Sequence, residues 1–255
     1  MIDLTGRVAL VTGGSRGIGR ACALKLAEAG ADVIINYVTS ESAAREVAEQ
    51  ILALGRQPSV VKADVSEQDD VAAMIDFVAE RYGRLDILVS NAATGGFRPL
   101  LDASPRNFEA AMKTNVMALL HLVQQSVKLL ERSEGRRAKV IALSSHGSNM
   151  ALPYYGLIGG SKAALESIVR HFALELGARG INVNVVKAGL VETDSTRKLP
   201  YGEQLFAARG FRSMTGERYL VAEDVANAVL FLASDLSDMV QGETLTVDGG
   251  TQVHA

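Results

Sequence analysis

Short β-branched runs alternate with longer amphipathic segments along the chain, and that alternation leaves few architectures open. Runs such as RVALVT (7–12) are too evenly apolar for a strand with one wet face, so they belong in a sheet covered on both sides. The segments between them carry the apolar period of helices and are long enough to cross back over the sheet. Strands are therefore expected at 7–12, 32–38, 58–65, 85–93, 138–145, 181–189 and 243–250. Helices are expected at 18–30, 40–55, 67–83, about 105–131, 155–178 and 222–234. This is an α/β fold: one doubly wound sheet of seven parallel strands with helices on both faces. No linker, low-complexity segment or internal repeat breaks the pattern, and 255 residues with 48% hydrophobic content suit a single domain.

The net charge of -3 offers no basic footprint for a polyanion, so nucleic acid is not an expected partner. No apolar run reaches the roughly 18 residues of a spanning helix, and MIDLTGR enters the first strand without a leader. A soluble, cytoplasmic protein without a membrane partner is expected. Cys22, the single cysteine, sits in the apolar pattern RACALKLAEAG and reads as a small buried hydrophobe. No metal is called for.

The turn after the first strand reads VTGGSRGIGR, which places Thr12, Gly13, Gly17 and Gly19 in the pattern T-G-x-x-x-G-x-G. Glycines there permit positive φ, let the backbone approach a pyrophosphate, and present helix N-terminal N–H groups to its charge. A glycine-rich turn can be purely structural. Its place between a first strand and an amphipathic helix marks this one as a dinucleotide site of a Rossmann-type sheet. The second strand ends in Asn36-Tyr37-Val38, with no acid before Glu41 to hold an adenosine ribose and repel a 2′-phosphate. Arg16, inside the glycine turn, offers a planar cation to that phosphate, so NADPH is expected rather than NADH.

Together the glycine turn, Asp64 in KADVS, Asn91 in NAA, Asn115 in KTNV, the Ser144-Ser145 pair and Lys162 resemble the short-chain dehydrogenase/reductase superfamily over essentially the whole chain. The resemblance implies that Gly13, Ser15, Arg16, Gly17, Ile18 and Gly19 hold the cofactor's phosphates, with Asn36 and Tyr37 beside them. It implies that Asp64 and Val65 border the adenine, and that Asn91 and Ala92 line the pocket. Asn115 would help hold a water chain behind Lys162, and Gly189, Val191 and Thr193 in AGLVET would meet the nicotinamide, Thr193 at its carboxamide. This chain has Ala188-Gly189 where the family commonly has Pro-Gly.

In most of the superfamily the catalytic tyrosine stands four residues before the lysine, but that position is Ile158, which has no proton to give. Two tyrosines precede it. At about 100° and 1.5 Å per residue, a tyrosine seven before Lys162 lies about 20° from the lysine's direction and roughly 10 Å along the axis. That residue is Tyr155; Tyr154, about 80° off, reads as a packing residue at the pocket rim. The Tyr-x6-Lys spacing resembles that of enoyl-[acyl-carrier-protein] reductases, and NAATGGFRPLLD, SSHGS and GGSKAALESIVRHFALEL look most like the NADPH-dependent third type. The resemblance implies reduction of a trans-2-enoyl thioester on acyl carrier protein, for fatty acid or polyketide-type biosynthesis. A phenol displaced along the helix suits this reaction, because charge develops on the thioester oxygen, beyond the β-carbon that takes the hydride.

Lys162 would then bind the nicotinamide ribose and Tyr155 would polarise the thioester oxygen. Ser145 either assists that oxygen or is a satisfied structural hydroxyl, and His146 reads as a solvated loop side chain. The alternative activity is reduction of a ketone, a 3-oxoacyl group or another activated alkene in secondary metabolism. Residues 192–218 match the superfamily's substrate-covering loop and helices. Arg197, Lys198, Arg209, Arg212 and Arg218 make them locally basic, either to dock an acidic carrier or as a solvated face. The resemblance also implies a homotetramer built on the helices at 105–131 and 155–178.

Overall fold

All four residues of strand β1 (Val8–Val11) are buried, and they divide between two cores. Val8 and Leu10 join one apolar cluster and Ala9 and Val11 the other, as the two-residue period of a strand requires. The computed structural model describes residues 2–133, 135–200, 202–216 and 218–253, without the side chains of 209 and 210.

After β1 the chain runs through α1 (Gly17–Glu28), β2 (Asp32–Tyr37), α2 (Glu41–Ala53), β3 (Ser59–Lys62), α3 (Gln68–Tyr82) and β4 (Ile87–Ser90). It continues through α4 (Pro105–Met112), α5 (Ala118–Leu130), β5 (Ala138–Ser145), α6 (Gly156–Leu176) and β6 (Ile181–Ala188). Helices α7 (Gly202–Phe211) and α8 (Ala222–Ala233) precede β7 (Thr244–Val247). The strands form one parallel seven-stranded sheet in the order β3-β2-β1-β4-β5-β6-β7. Helices α1, α2 and α8 cover one face through residues such as Leu26, Ile51 and Val229. Helices α3, α5 and α6 cover the other through Met74, Leu122 and Val169. Cys22 is fully buried in the first core, which pushes its thiol up to about 12, as a packing role requires.

The chain builds outward from β1 in one direction and from β4 in the other. The crevice at the C-terminal ends of these neighbours is where such sheets hold ligands. Val11 pairs with Val89, so the glycine turn after β1 faces the Asn91 segment after β4.

Two expected elements differ in detail. The helix expected at 105–131 is α4 and α5 joined by a π turn at Lys113–Met117. The extra residue in that turn carries Asn115 inward, where it is 2% exposed. The helix expected from Tyr155 begins at Gly156; Tyr155 is its N-cap, with φ -107° and ψ 2°. Among the described residues no helix is long and apolar enough to cross a membrane.

Candidate active site

The glycine turn has the shape its residues imply. Gly13 and Gly17 have φ of +61° and +55°, where a side chain would be strained. Gly19 is required for a different reason: a Cβ there would collide with Gly13 O and Asn91 Nδ2. The turn is braced from β4, for Asn91 Nδ2 donates to Thr12 O at 2.9 Å and the N–H groups of Asn91 and Ala92 donate to Thr12 Oγ1.

The Asn36 amide braces it from behind. Its Oδ1 accepts from Gly13 N at 3.2 Å and its Nδ2 donates to Ala63 O at 2.9 Å. Asn36 is fully buried beneath the turn, and Tyr37 packs into the core. Arg16, the N-cap of α1, is 61% exposed and lies 3.9 Å from Asp194. Ser15 is buried within the turn and Ile18 packs against the core.

Asp64 Oδ1 accepts from Ser66 N and Ser66 Oγ, closing the bend after β3. The Val65 side chain lies in the core, leaving its main chain as the part that could border a ring. Gly189 packs against Asp248 and donates to Val247 O at 2.9 Å. Val191 is buried, and Thr193 is tied through N and Oγ1 to Thr196 while lying close over Gly17. The two ends of the crevice therefore meet there.

The candidate reacting groups gather at the ends of β5 and α6. Tyr155 Oη donates to Ser145 Oγ at 3.0 Å. The tyrosine ring stacks on Phe97, with centroids 5.9 Å apart and planes at 26°, and its other neighbour is Gly147, where a Cβ would strike the ring. Burial pushes the phenol up from its ordinary value, and the Ser145 hydrogen bond opposes that shift. Lys162 is buried and donates to Leu143 O at 2.6 Å. Burial lowers its ammonium to about 8, against the opposing attraction of Glu166.

Asn115 donates to Thr94 O and Ser161 Oγ and accepts from Thr94 N. Both amide protons are thus engaged, and the side chain ties Thr94 to Ser161 of α6. Ile158 is buried against Gly95. Tyr154 is more than a rim residue. It is the non-glycine with positive φ among the described residues, at +62°, and its carbonyl accepts from Arg98 N at 2.9 Å. That left-handed turn delivers Tyr155 to the helix start. Beside it lies a cavity of about 360 Å³ lined by Arg98, Leu100, Met150, Leu152, Tyr154 and Tyr155.

His146 departs from its expected solvation: it is 3% exposed, and its Nε2 lies 3.0 Å from Asp248 Oδ2. The 192–218 stretch forms a short turn at Thr196–Lys198 and then α7. Among the described cations of this stretch, Arg197 pairs with Glu192 and Asp194, and Arg218 with Asp224. The side chain of Arg209 lies outside the described residues.

Reading the motifs alone missed Glu166, Lys187, Phe97 and Ser161. The signals for the first two were present: Glu166 follows Lys162 by one helical turn, and Lys187 interrupts the apolar run VNVV.

A family model described as enoyl-(acyl carrier protein) reductase matches residues 13–252. The 1-cyclohexenylcarbonyl-CoA reductase of Streptomyces collinus is 38% identical over 256 residues, covering 98% of this chain and 88% of the relative. Versicolorin reductase 1 of Dothistroma septosporum is 35% identical over 257 residues, covering 97% and 96%. A short chain dehydrogenase from Burkholderia cenocepacia, solved in complex with NADP, superposes with a TM-score of 0.89 at 36% identity, covering 98% of this chain and 99% of that one.

Proposed function

The chain belongs to the short-chain dehydrogenase/reductase superfamily, and on that premise we propose that it uses NADPH to reduce the carbon–carbon double bond of α,β-unsaturated thioesters. The observation that carries this reading is Ile158, buried against Gly95 at the position four before Lys162, which leaves Tyr155, seven before the lysine, as the phenol beside the site. The 1-cyclohexenylcarbonyl-CoA reductase of Streptomyces collinus, by its name, acts on an unsaturated thioester, which supports the same class.

The crevice residues fit NADPH. The backbone at Gly13, Gly17 and Gly19 leaves a cradle that side chains would fill, and the exposed Arg16 guanidinium suits a 2′-phosphate. Asn91, Ala92, Gly189, Val191 and Thr193 complete the walls. When bound, NADPH supplies the hydride.

The protein's own groups do the rest. Tyr155 Oη donates a hydrogen bond to the thioester oxygen, where negative charge collects as the β-carbon is reduced. Ser145 Oγ, which accepts the phenol proton in the structure, gives that position up to the substrate oxygen and can donate its own proton to the same oxygen. Lys162 keeps a cation beneath the site. Phe97 covers one face of the Tyr155 ring, and the 360 Å³ cavity beside it receives the acyl group.

The finer assignment to acyl carrier protein rests on the family model's description and on the basic stretch 197–218, whose Arg197 and Arg218 are already paired. Reduction of a ketone is the second reading. The retained Ser145–Tyr155 pair favours it. An apolar groove of about 470 Å³ between α5 and α6, lined by Val123, Val127, Ile168 and Phe172, supports pairing of copies toward a tetramer.

The test is NADPH and NADH oxidation with crotonyl and acetoacetyl thioesters, each on coenzyme A and on acyl carrier protein. Turnover of the crotonyl compound with NADPH is expected. Turnover of the ketone alone would overturn the assignment.

A further inference from the structure

Behind the catalytic groups lies an ion pair that none of the roles above requires. Lys187, near the end of β6, is 6% exposed, and its Nζ lies 3.2 Å from Glu166 Oε2 and 3.3 Å from Asn149 Oδ1. The other carboxylate oxygen, Glu166 Oε1, accepts from Ser144 Oγ at 2.5 Å. Ser144 and Lys187 are register partners on neighbouring strands, so their side chains leave the sheet on the same face, the one covered by α6. Glu166 thus bolts α6 to both strand ends. It does so one residue before Ser145 on β5 and one turn after Lys162 on α6, a spacing that puts the carboxylate and the lysine on one helix face.

A buried lysine at a strand end is costly unless paired, and a buried pair is a weak source of stability. Its position suggests another purpose. We propose that Glu166 and Lys187 form a positioning pair for the reaction, Glu166 fixing the Ser144-Ser145 strand end and the charge of Lys162, and Lys187 balancing Glu166. Two cations, Lys162 and Lys187, share one carboxylate. Losing either partner therefore changes the field at Lys162 in opposite senses: without Glu166 the lysine faces an unopposed cation, and without Lys187 it faces an unopposed anion.

Other charges near α6 are differently placed. His146, in the turn packed on α6, is paired with Asp248, and Lys113, in the π turn, is exposed and paired with Glu67. Arg106 and Glu109 on α4 are exposed, Lys139 and Arg179 lie toward the opposite end of the sheet, and Tyr155 is engaged with Ser145.

The inference rests on the proposed role of Lys162 in holding the cofactor, but its test does not depend on which substrate is reduced. NMR of isotope-labelled lysine in the cofactor-free protein, with the Lys162 signal assigned by its loss in Lys162→Met, reads the titration midpoint directly. Relative to the parent protein, Glu166→Gln should lower that midpoint by about one pH unit and Lys187→Met should raise it by about as much. The double variant Glu166→Gln/Lys187→Met, which leaves no unpaired charge and so should fold, should lie between them. NADPH affinity measured by fluorescence should lose its hold at lower pH in Glu166→Gln and at higher pH in Lys187→Met. A purely structural pair would leave the midpoint where it is, or move it the same way in both single variants; either result overturns the proposal.

Discussion

Tyr155 Oη and Ser145 Oγ lie 3.0 Å apart, with the phenol as donor, so the serine proton is free to turn toward a substrate oxygen. Tyr155 caps α6 and does not lie within it, and a left-handed turn at Tyr154 aims it. Tyr155→Phe should lower kcat about a hundredfold or more while leaving the NADPH dissociation constant unchanged, as expected for loss of one donor to developing charge. Ser145→Ala should lower kcat by about tenfold to a hundredfold through the same oxygen. Steady-state kinetics beside a fluorescence titration separates these effects, and an unchanged kcat in Ser145→Ala would make that serine a structural hydroxyl.

Arg16 should decide between the two nicotinamide cofactors. Its guanidinium is 61% exposed, with Asp194 3.9 Å away as a loose partner. A charge-assisted contact with phosphate is worth about 1.5–3 kcal/mol. Arg16→Ala should therefore lower kcat/KM for NADPH about tenfold to a hundredfold and leave that for NADH nearly unchanged. An equal loss with both cofactors would show that Arg16 serves the turn and not the 2′-phosphate.

The sheet, its order of elements and the glycine turn were legible because each rests on a local pattern: two-residue and 3.6-residue periods, and positions where a Cβ cannot fit. Three things were not. The π turn around Asn115 has no local signature, since its sequence is helical throughout and only the contacts with Thr94 and Ser161 explain it. His146 looked like a loop residue because its partner, Asp248, lies about a hundred residues away beyond β7. Asn36 stands one residue before the end of β2, and its side chain bonds to Gly13 after β1 and Ala63 after β3, partners distant in the sequence.

Gly19→Ala tests the cradle itself. The added methyl would meet Gly13 O and Asn91 Nδ2, and both belong to the brace between β1 and β4. Forcing a methyl into a packed site costs about 1–3 kcal/mol. Thermal unfolding should show that loss, and NADPH affinity should fall more steeply than stability alone explains. Unchanged melting and affinity would mean that the turn relaxes freely and is no rigid cradle.

Lys162 should make the protein less stable than it could be. Its ammonium titrates at about 8 when folded, against an ordinary value of 10.5, and burial is the main cause. Between those values the unfolded chain holds more protons than the folded one, so this group's contribution to stability rises with pH across that window. Below about 8 the full cost of the buried charge is present, about 3 kcal/mol by order of magnitude. Lys162→Met removes that cost together with the hydrogen bond to Leu143 O. The variant should be inactive and yet more stable than the parent at pH 7, with the gap closing as pH climbs toward 10.5. Chemical denaturation across that range measures the gap. A gap independent of pH would mean that the folded and unfolded chains hold this proton equally, so that burial neither shifts Lys162 nor destabilises the fold through its ammonium.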